Sequence, residues 1–295
     1  SLAVDEESFD RLLEQMPKEV GDLLLEGDEK EITSIIKRLF HGYLKSNTQM
    51  RQKVIGRCQH LFEDLNTGLQ NQLAKILAKP LLLVLSQEKD PAVLRELTNF
   101  LYRLSTLLVQ FAEYPVATQV LLHLQRRYRR LLEAKSDQAK MFEEILMKPL
   151  DPKAQELILQ DFQSNETLRQ QKAVQLLGSL GKVASPLLTE VVKGESDLRI
   201  RQLAASLLSQ QGYEAAKSLK RVFMLESTAE ERRQILDVLD SVTRDLKAEL
   251  VNALDDDNEQ VRAKAFKLAR RLNTDDVEKI LLERTGSMKG EVAAD

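Results

Sequence analysis

The residues of this chain with chemical potential are three histidines, one cysteine, one acidic run and one arginine cluster. His41, His60 and His123 lie far apart. None has a second His, Cys, Asp or Glu at a metal-ligand spacing that forms a known motif. Cys58 shares a helical stripe with Val54, Ile55 and Leu61. A nucleophilic thiolate needs an exposed, electropositive setting, so Cys58 is read as a small buried hydrophobe. The run Asp255, Asp256, Asp257, Asn258 lacks the glycine and the terminal glutamate of a calcium loop. Between two helices, Asp and Asn serve as N-caps. No phosphate loop or GxGxxG is present, and Gly178 and Gly181 read as a helix end. No catalytic residue, metal ligand or cofactor is expected, and the chain is read as not an enzyme.

The arginine cluster is the sharper feature. Arg126, Arg127, Arg129 and Arg130 flank Tyr128, with Arg103 and Lys135 nearby. Such a patch suits phosphates or an acidic protein surface. Tyr128 continues the apolar stripe of Leu121, Leu124, Leu131 and Leu132, so it is expected in the core rather than as a stacking platform. Three readings stand: a solvated face balancing the acidic first residues, contact with a protein, and contact with nucleic acid.

The elements that must position these residues are helices. Of the 295 residues, 43% are hydrophobic and 5% aromatic, with 11 Gly, 7 Pro and no Trp. That mix is helix-forming and recurs throughout, which argues against disorder. The longest dense apolar patch, PLLLVL at 80–85, is far too short to span a bilayer. The net charge of −3 is unevenly spread. Residues 1–31 hold 11 acids and 3 bases, 32–135 hold 7 and 16, and 136–295 hold 28 and 24. One cysteine permits no internal disulfide, so a reducing, cytoplasmic setting is expected. The first residue is Ser, which leads us to expect a segment of a longer polypeptide.

Apolar periodicity predicts helices over 6–16, 17–25, 29–45, 47–65 and 67–85, then from Asp90-Pro91 and from Tyr114-Pro115, with a shorter pair at 137–148 and 151–162. Beyond these, one pattern returns. Indexed on Arg169, Ile200, Glu231 and Val261, four copies recur at intervals of about 30 residues. Offset four holds Ala173, Ala204, Ile235 and Ala265; offset eight holds Leu177, Leu208, Leu239 and Ala269. Offset nineteen holds Leu188, Leu219, Leu250 and Ile280, so a second helix repeats as well. Met50 and Val93 serve as earlier indices. Small residues at offset four suit close helix approach. An arginine after the index, as at Arg51, Arg201, Arg232 and Arg262, is expected to bond an acid or carbonyl of the adjoining turn.

The stretches IRQLAASLLSQQG and VRAKAFKLARRLN, each followed by a second helix, resemble HEAT repeats of the short bacterial kind. The resemblance is clear over 165–285 and weaker over 47–163. It implies an all-α, right-handed α-solenoid of stacked antiparallel helix pairs, with the longer helices in the N-terminal half. The expected segments are N-terminal capping helices at 6–46, long repeats at 47–163, four short repeats at 164–286 and a loose tail at 287–295. Deoxyhypusine hydroxylases resemble this fold and carry His-Glu pairs. Here the histidines are followed by Gly42, Leu61 and Leu124, so that activity is not expected. Phycobilin lyases of the HEAT type leave no sharp motif and stand as a further alternative. The function that the resemblance implies is an interaction scaffold, binding a protein or another domain of its parent chain through a curved face. Second helices usually line the concave side, which makes Thr189, Lys217, Lys220, Asn252 and Lys279 candidate contacts beside Arg126, Arg127 and Arg130.

Overall fold

The computed structural model describes residues 6–194, 197–211, 213–225, 228–242 and 246–272. Fifteen α-helices and one short 3-10 turn make up its regular structure, with no strand among the described residues. The chain forms an all-α solenoid in two compact units, Ser1–Leu180 and Gly181–Asp295.

Unit 1 contains α1 (Glu6–Glu26), α2 (Glu29–Lys45), α3 (Thr48–Asp64), α4 (Thr67–Gln87), α5 (Pro91–Gln110), α6 (Tyr114–Glu133), α7 (Gln138–Leu146), α8 (Pro152–Phe162) and α9 (Thr167–Leu180). They stack in two rows. One row runs α2, α4, α6, α9, each packed on the next. The other runs α1, α3, α5, with the short α7 and α8 together beside α5. Between the rows lies a core that fully buries Tyr43, Phe100, Tyr114, Phe142 and Phe162. Each such side chain contributes about 1.5–3 kcal/mol.

Side-chain caps set the helix starts. The carboxylate or amide oxygens of Asp28, Asn47, Asn66, Asp90 and Asp151 accept from the first free amides of α2, α3, α4, α5 and α8. Gly27 at φ +78° ends α1 in the left-handed region that favours glycine. Gly42 is where α1 and α2 touch: a Cβ there would lie 2.1 Å from the Phe9 ring.

Pro17 does not start a second helix, as the sequence predicts; α1 passes straight through it. The reason is the unbroken buried stripe Phe9, Leu13, Met16, Val20, Leu24. Its burial outweighs the cost of roughly 3 kcal/mol that a helix-interior proline imposes. Pro80 sits inside α4 in the same way.

Unit 2 opens with the 3-10 turn Gly181–Ala184 and continues through α10 (Ser185–Gly194), α11 (Leu198–Gln210), α12 (Tyr213–Leu225), α13 (Ala229–Val242), α14 (Lys247–Leu254) and α15 (Glu259–Leu272). Here too there are two rows, α11–α13–α15 and α10–α12–α14. The offset pattern is visible in the burial. Ala204, Ile235 and Ala265 are 0% exposed, and so are Leu208 and Leu239. Leu219 and Leu250, nineteen residues past their indices, lie inside the facing row.

The helix indexed on Arg169 sits differently from its sequence relatives. α9 pairs with α8 and lies beside α6, within unit 1. Its junction matches that of α3 and α4: Gln70 Nε2 donates to the Phe62 carbonyl at 2.8 Å, and Gln170 Nε2 to the Phe162 carbonyl at 3.0 Å. A stripe of offsets defines a buried helix face but not the row that helix joins.

Candidate functional site

Charge in unit 1 separates by row. α4 and α9 contain no Asp or Glu, and α6 contains only Glu133, at its last position. The row α2, α4, α6, α9 carries twelve Lys and Arg against three Asp and Glu. The row α1, α3, α5, α7, α8 carries nine against fourteen. Unit 1 is therefore a two-layer slab with opposite net charge on its layers. This arrangement raises the local concentration of anions along one face.

The strongest point of the basic layer is α6. Leu122, Arg126, Arg129 and Arg130 stand at i, i+4, i+7 and i+8, one helical face, and all four are exposed. Exposed His123 lies beside them. No ion pair joins Arg126, Arg129 or Arg130 to a carboxylate among the described residues. Leu122 and Leu132 are 38% and 49% exposed, so the charge is interleaved with apolar surface. None of the ion pairs between described residues joins α6 to the acidic α1.

The other sequence candidates fall in several places. Arg127 turns inward, and its Nη2 donates to the Glu88 carbonyl at 3.0 Å. It holds the α4–α5 loop rather than facing a partner. Arg129, not among the candidates, takes its place on the exposed face. Tyr128 is half-buried rather than core; burial and the nearby Glu143 charge push its phenol above the ordinary range. Thr189 is 2% exposed and its hydroxyl donates to the Ser185 carbonyl at 2.8 Å, so its side chain does not present itself to a partner. Lys220 reaches the buried Glu249 at 3.2 Å. Lys217 and Asn252 are exposed, and Asn252 touches Met224 at 3.0 Å. Lys279 lies outside the described residues.

Behind the α6 face sits a buried polar node that sequence reasoning missed. The side chain of Glu88 is 0% exposed. Its Oε2 accepts from the Tyr43 hydroxyl at 2.5 Å, and its Oε1 accepts from the amides of Lys89 and Asp90 at 2.8 and 2.9 Å. The Arg51 guanidinium lies 3.4 Å from Oε1. Burial, then the bond to Glu88, push the Tyr43 phenol far above its ordinary range, so it stays a donor. A second node repeats the design: the Tyr114 hydroxyl donates to Asp161 at 2.7 Å, with Arg169 at 4.0 Å. Both nodes bind helix ends across the stack.

Unit 2 uses an arginine ladder. Arg201 is 6% exposed and lies 3.6 Å from Asp237, which also takes Lys264. Arg232 grips Asp256 through two nitrogens at 2.6 and 3.0 Å. Arg262 donates to the carbonyls of Asp256 and Asp257. Arg232 and Arg262 thus bond neighbouring acids and carbonyls, as expected from the repeat, and Arg201 meets its acid as an ion pair.

The acidic run is occupied internally. Asn258 caps α15 through the amides of Gln260 and Val261, and Asp256 is held by Arg232. Burial works against ionised Asp256, yet Arg232 and the Asn258 amide outweigh it and keep its carboxyl below the usual range. A depressed carboxyl stabilises the fold above the unfolded value of 3.8 and loses that contribution as pH falls. We expect unit 2 to lose stability below about pH 4, with a shallower loss in Asp256→Asn. Urea midpoints of the two proteins across this range check it; parallel profiles would assign the acid limb elsewhere.

Cys58 is 1% exposed, and burial pushes its thiol up to about 12. Among the described residues, no three His, Cys, Asp or Glu side chains cluster where they could hold a metal ion. No described helix is long and apolar enough to cross a membrane.

No family model matches this chain, and no curated protein matches it. Among solved structures it is similar to human deoxyhypusine hydroxylase, at 17% identity and a TM-score of 0.28, over 89% of this chain and 97% of that one. It is also similar to a computationally designed self-assembling cyclic homooligomer, at 12% identity and a TM-score of 0.21, over 95% and 97% of the two chains. The first of these is an enzyme. The expectation that the present chain is not an enzyme is therefore withdrawn, although a likeness at this level assigns it neither an activity nor residue roles.

Proposed function

We propose that this chain is a HEAT-like interaction scaffold that binds an acidic protein segment along the basic row of unit 1, centred on α6. The observation that supports this is the separation of charge between the two rows, with Arg126, Arg129 and Arg130 exposed at its peak. Intramolecular pairing would explain the arginines only if α1 reached them, and no such pair exists among the described residues.

Protein is favoured over nucleic acid by what lies between the arginines. Leu122 and Leu132 offer apolar contact area, worth about 25 cal/mol per Å² buried. Grooves for single-stranded nucleic acid combine positive charge with exposed aromatic platforms, and the aromatic of α6 nearest the cluster, Tyr128, is half-buried.

The test is a titration by fluorescence anisotropy with two probes: an amphipathic Glu/Leu peptide and a duplex DNA. The peptide is expected to bind the chain more tightly than the DNA. Arg126→Glu/Arg129→Glu/Arg130→Glu should weaken the peptide about 30-fold or more, since three surface charges at roughly 0.7 kcal/mol each turn from attraction to repulsion. Equal or tighter binding of DNA would replace this reading with a polyanion site.

A further inference from the structure

Unit 1 presents an acidic helix as well as a basic one, and the two are complementary. On α1, Glu14, Asp22 and Glu26 stand at i, i+8 and i+12, with Glu19 at the edge of the same face, and all are exposed. Lys18 is the one cation between them. Leu25, on this face, is 74% exposed, the largest exposure of any large hydrophobic side chain among the described residues. α6 shows the inverse: Arg126, Arg129 and Arg130 around Leu122.

The two faces do not serve each other within one chain. α1 packs on α2, α3 and α4, whereas α6 packs on α4, α5, α7 and α9. Among the described residues, the ion pairs of α1 are local or run to α3: Arg11 with Glu7, and Lys53 with Asp10. A net charge of only −3 opposes the approach of two copies weakly.

Resting on the reading of α6 as a protein-binding face, we propose that its occupant is a second copy of this chain, docking head to tail with the α1 face of one copy on the α6 face of the next. Acid meets arginine along the contact, and Leu25 packs against the apolar surface around Leu122. The two patches differ, so the contact is heterologous and repeats from copy to copy, giving a ring or an open chain rather than a two-fold dimer. The pairing is exposed and electrostatic, so it weakens as salt rises.

Sedimentation velocity of the full chain tests this. Association that grows with protein concentration is expected near 50 mM salt and is lost near 500 mM, where the screening length falls from roughly 14 Å to 4 Å. Arg126→Glu/Arg129→Glu/Arg130→Glu should weaken association about 30-fold, and so should Glu14→Lys/Asp22→Lys/Glu26→Lys. Mixing the two variants should restore it, because each then meets the opposite charge. Circular dichroism confirms folding, and neutral Gln variants at the same positions should give intermediate weakening. A chain that stays monomeric at low salt overturns self-docking. If that monomer still binds the Glu/Leu peptide through α6, the face stands and only its occupant changes. If α6 variants neither lose peptide nor alter association, both readings fall. Association that survives reversal of α1 also overturns the proposed pairing.

Discussion

Replacing Glu88 by alanine is expected to destabilise unit 1 by about 3–5 kcal/mol, the usual result of removing one partner from a buried charge pair. Three donors and one cation converge on this carboxylate: the Tyr43 hydroxyl, the amides of Lys89 and Asp90, and the Arg51 guanidinium. Alanine leaves the Tyr43 hydroxyl buried without its acceptor and the Arg51 charge, 25% exposed, without its carboxylate. It also leaves the loop amides of Lys89 and Asp90 without their acceptor, while the bond from Arg127 to the backbone carbonyl remains. Glu88→Gln should cost less, because an amide oxygen still accepts from the loop amides but cannot also take the phenol and the guanidinium. Urea denaturation read in α2 and α5 by hydrogen exchange measures both. A loss below about 1 kcal/mol in the alanine variant would show that water replaces the carboxylate.

Asp237→Ala is the corresponding change in unit 2, with an expected loss of about 3 kcal/mol. Two cations depend on this side chain, Arg201 and Lys264. Arg201 is the more exposed to the loss in energetic terms, since it is 6% accessible and its Nε and Nη1 find no hydrogen-bond acceptor. The diagnostic is the double variant Asp237→Ala/Arg201→Leu. Removing both buried partners is often near neutral, so the double variant should be more stable than Asp237→Ala alone. Additive losses in urea midpoints would mean that Arg201 and Asp237 do not act as a pair.

Much of the fold was legible because helices announce themselves. The starts of α3 and α5, the cap at Asn258 and the apolar offsets around Ala204 and Ala265 lie where the sequence places them. Pro17 misled because a local rule about proline was weighed without the stripe that runs past it. α9 misled because its offsets match α11 while its neighbours are α6 and α8. Which row a helix joins depends on contacts far along the chain, and periodicity carries no such information.

The candidate site was legible only in part. The arginines of α6 were plain, but Arg127 and Arg129 exchanged roles once Glu88 drew Arg127 inward. Thr189 was expected on a surface, yet its hydroxyl closes on its own helix. The separation of charge by row had a signal, the absence of acids in α4 and α9, but it becomes a face only when those helices are neighbours. Glu88 gave no signal at all, since a glutamate after an apolar run looks like any helix end.

Lysine footprinting tests the central claim most directly. The chain is acetylated with and without the Glu/Leu peptide, and modification is read by mass spectrometry. Lys79 of α4 and Lys172 of α9 belong to the basic row, whereas Lys18, Lys140 and Lys153 belong to the other. The peptide is expected to protect Lys79 and Lys172 and to leave Lys18, Lys140 and Lys153 unchanged. Protection of the second group, or of neither, would contradict a binding face on the basic row.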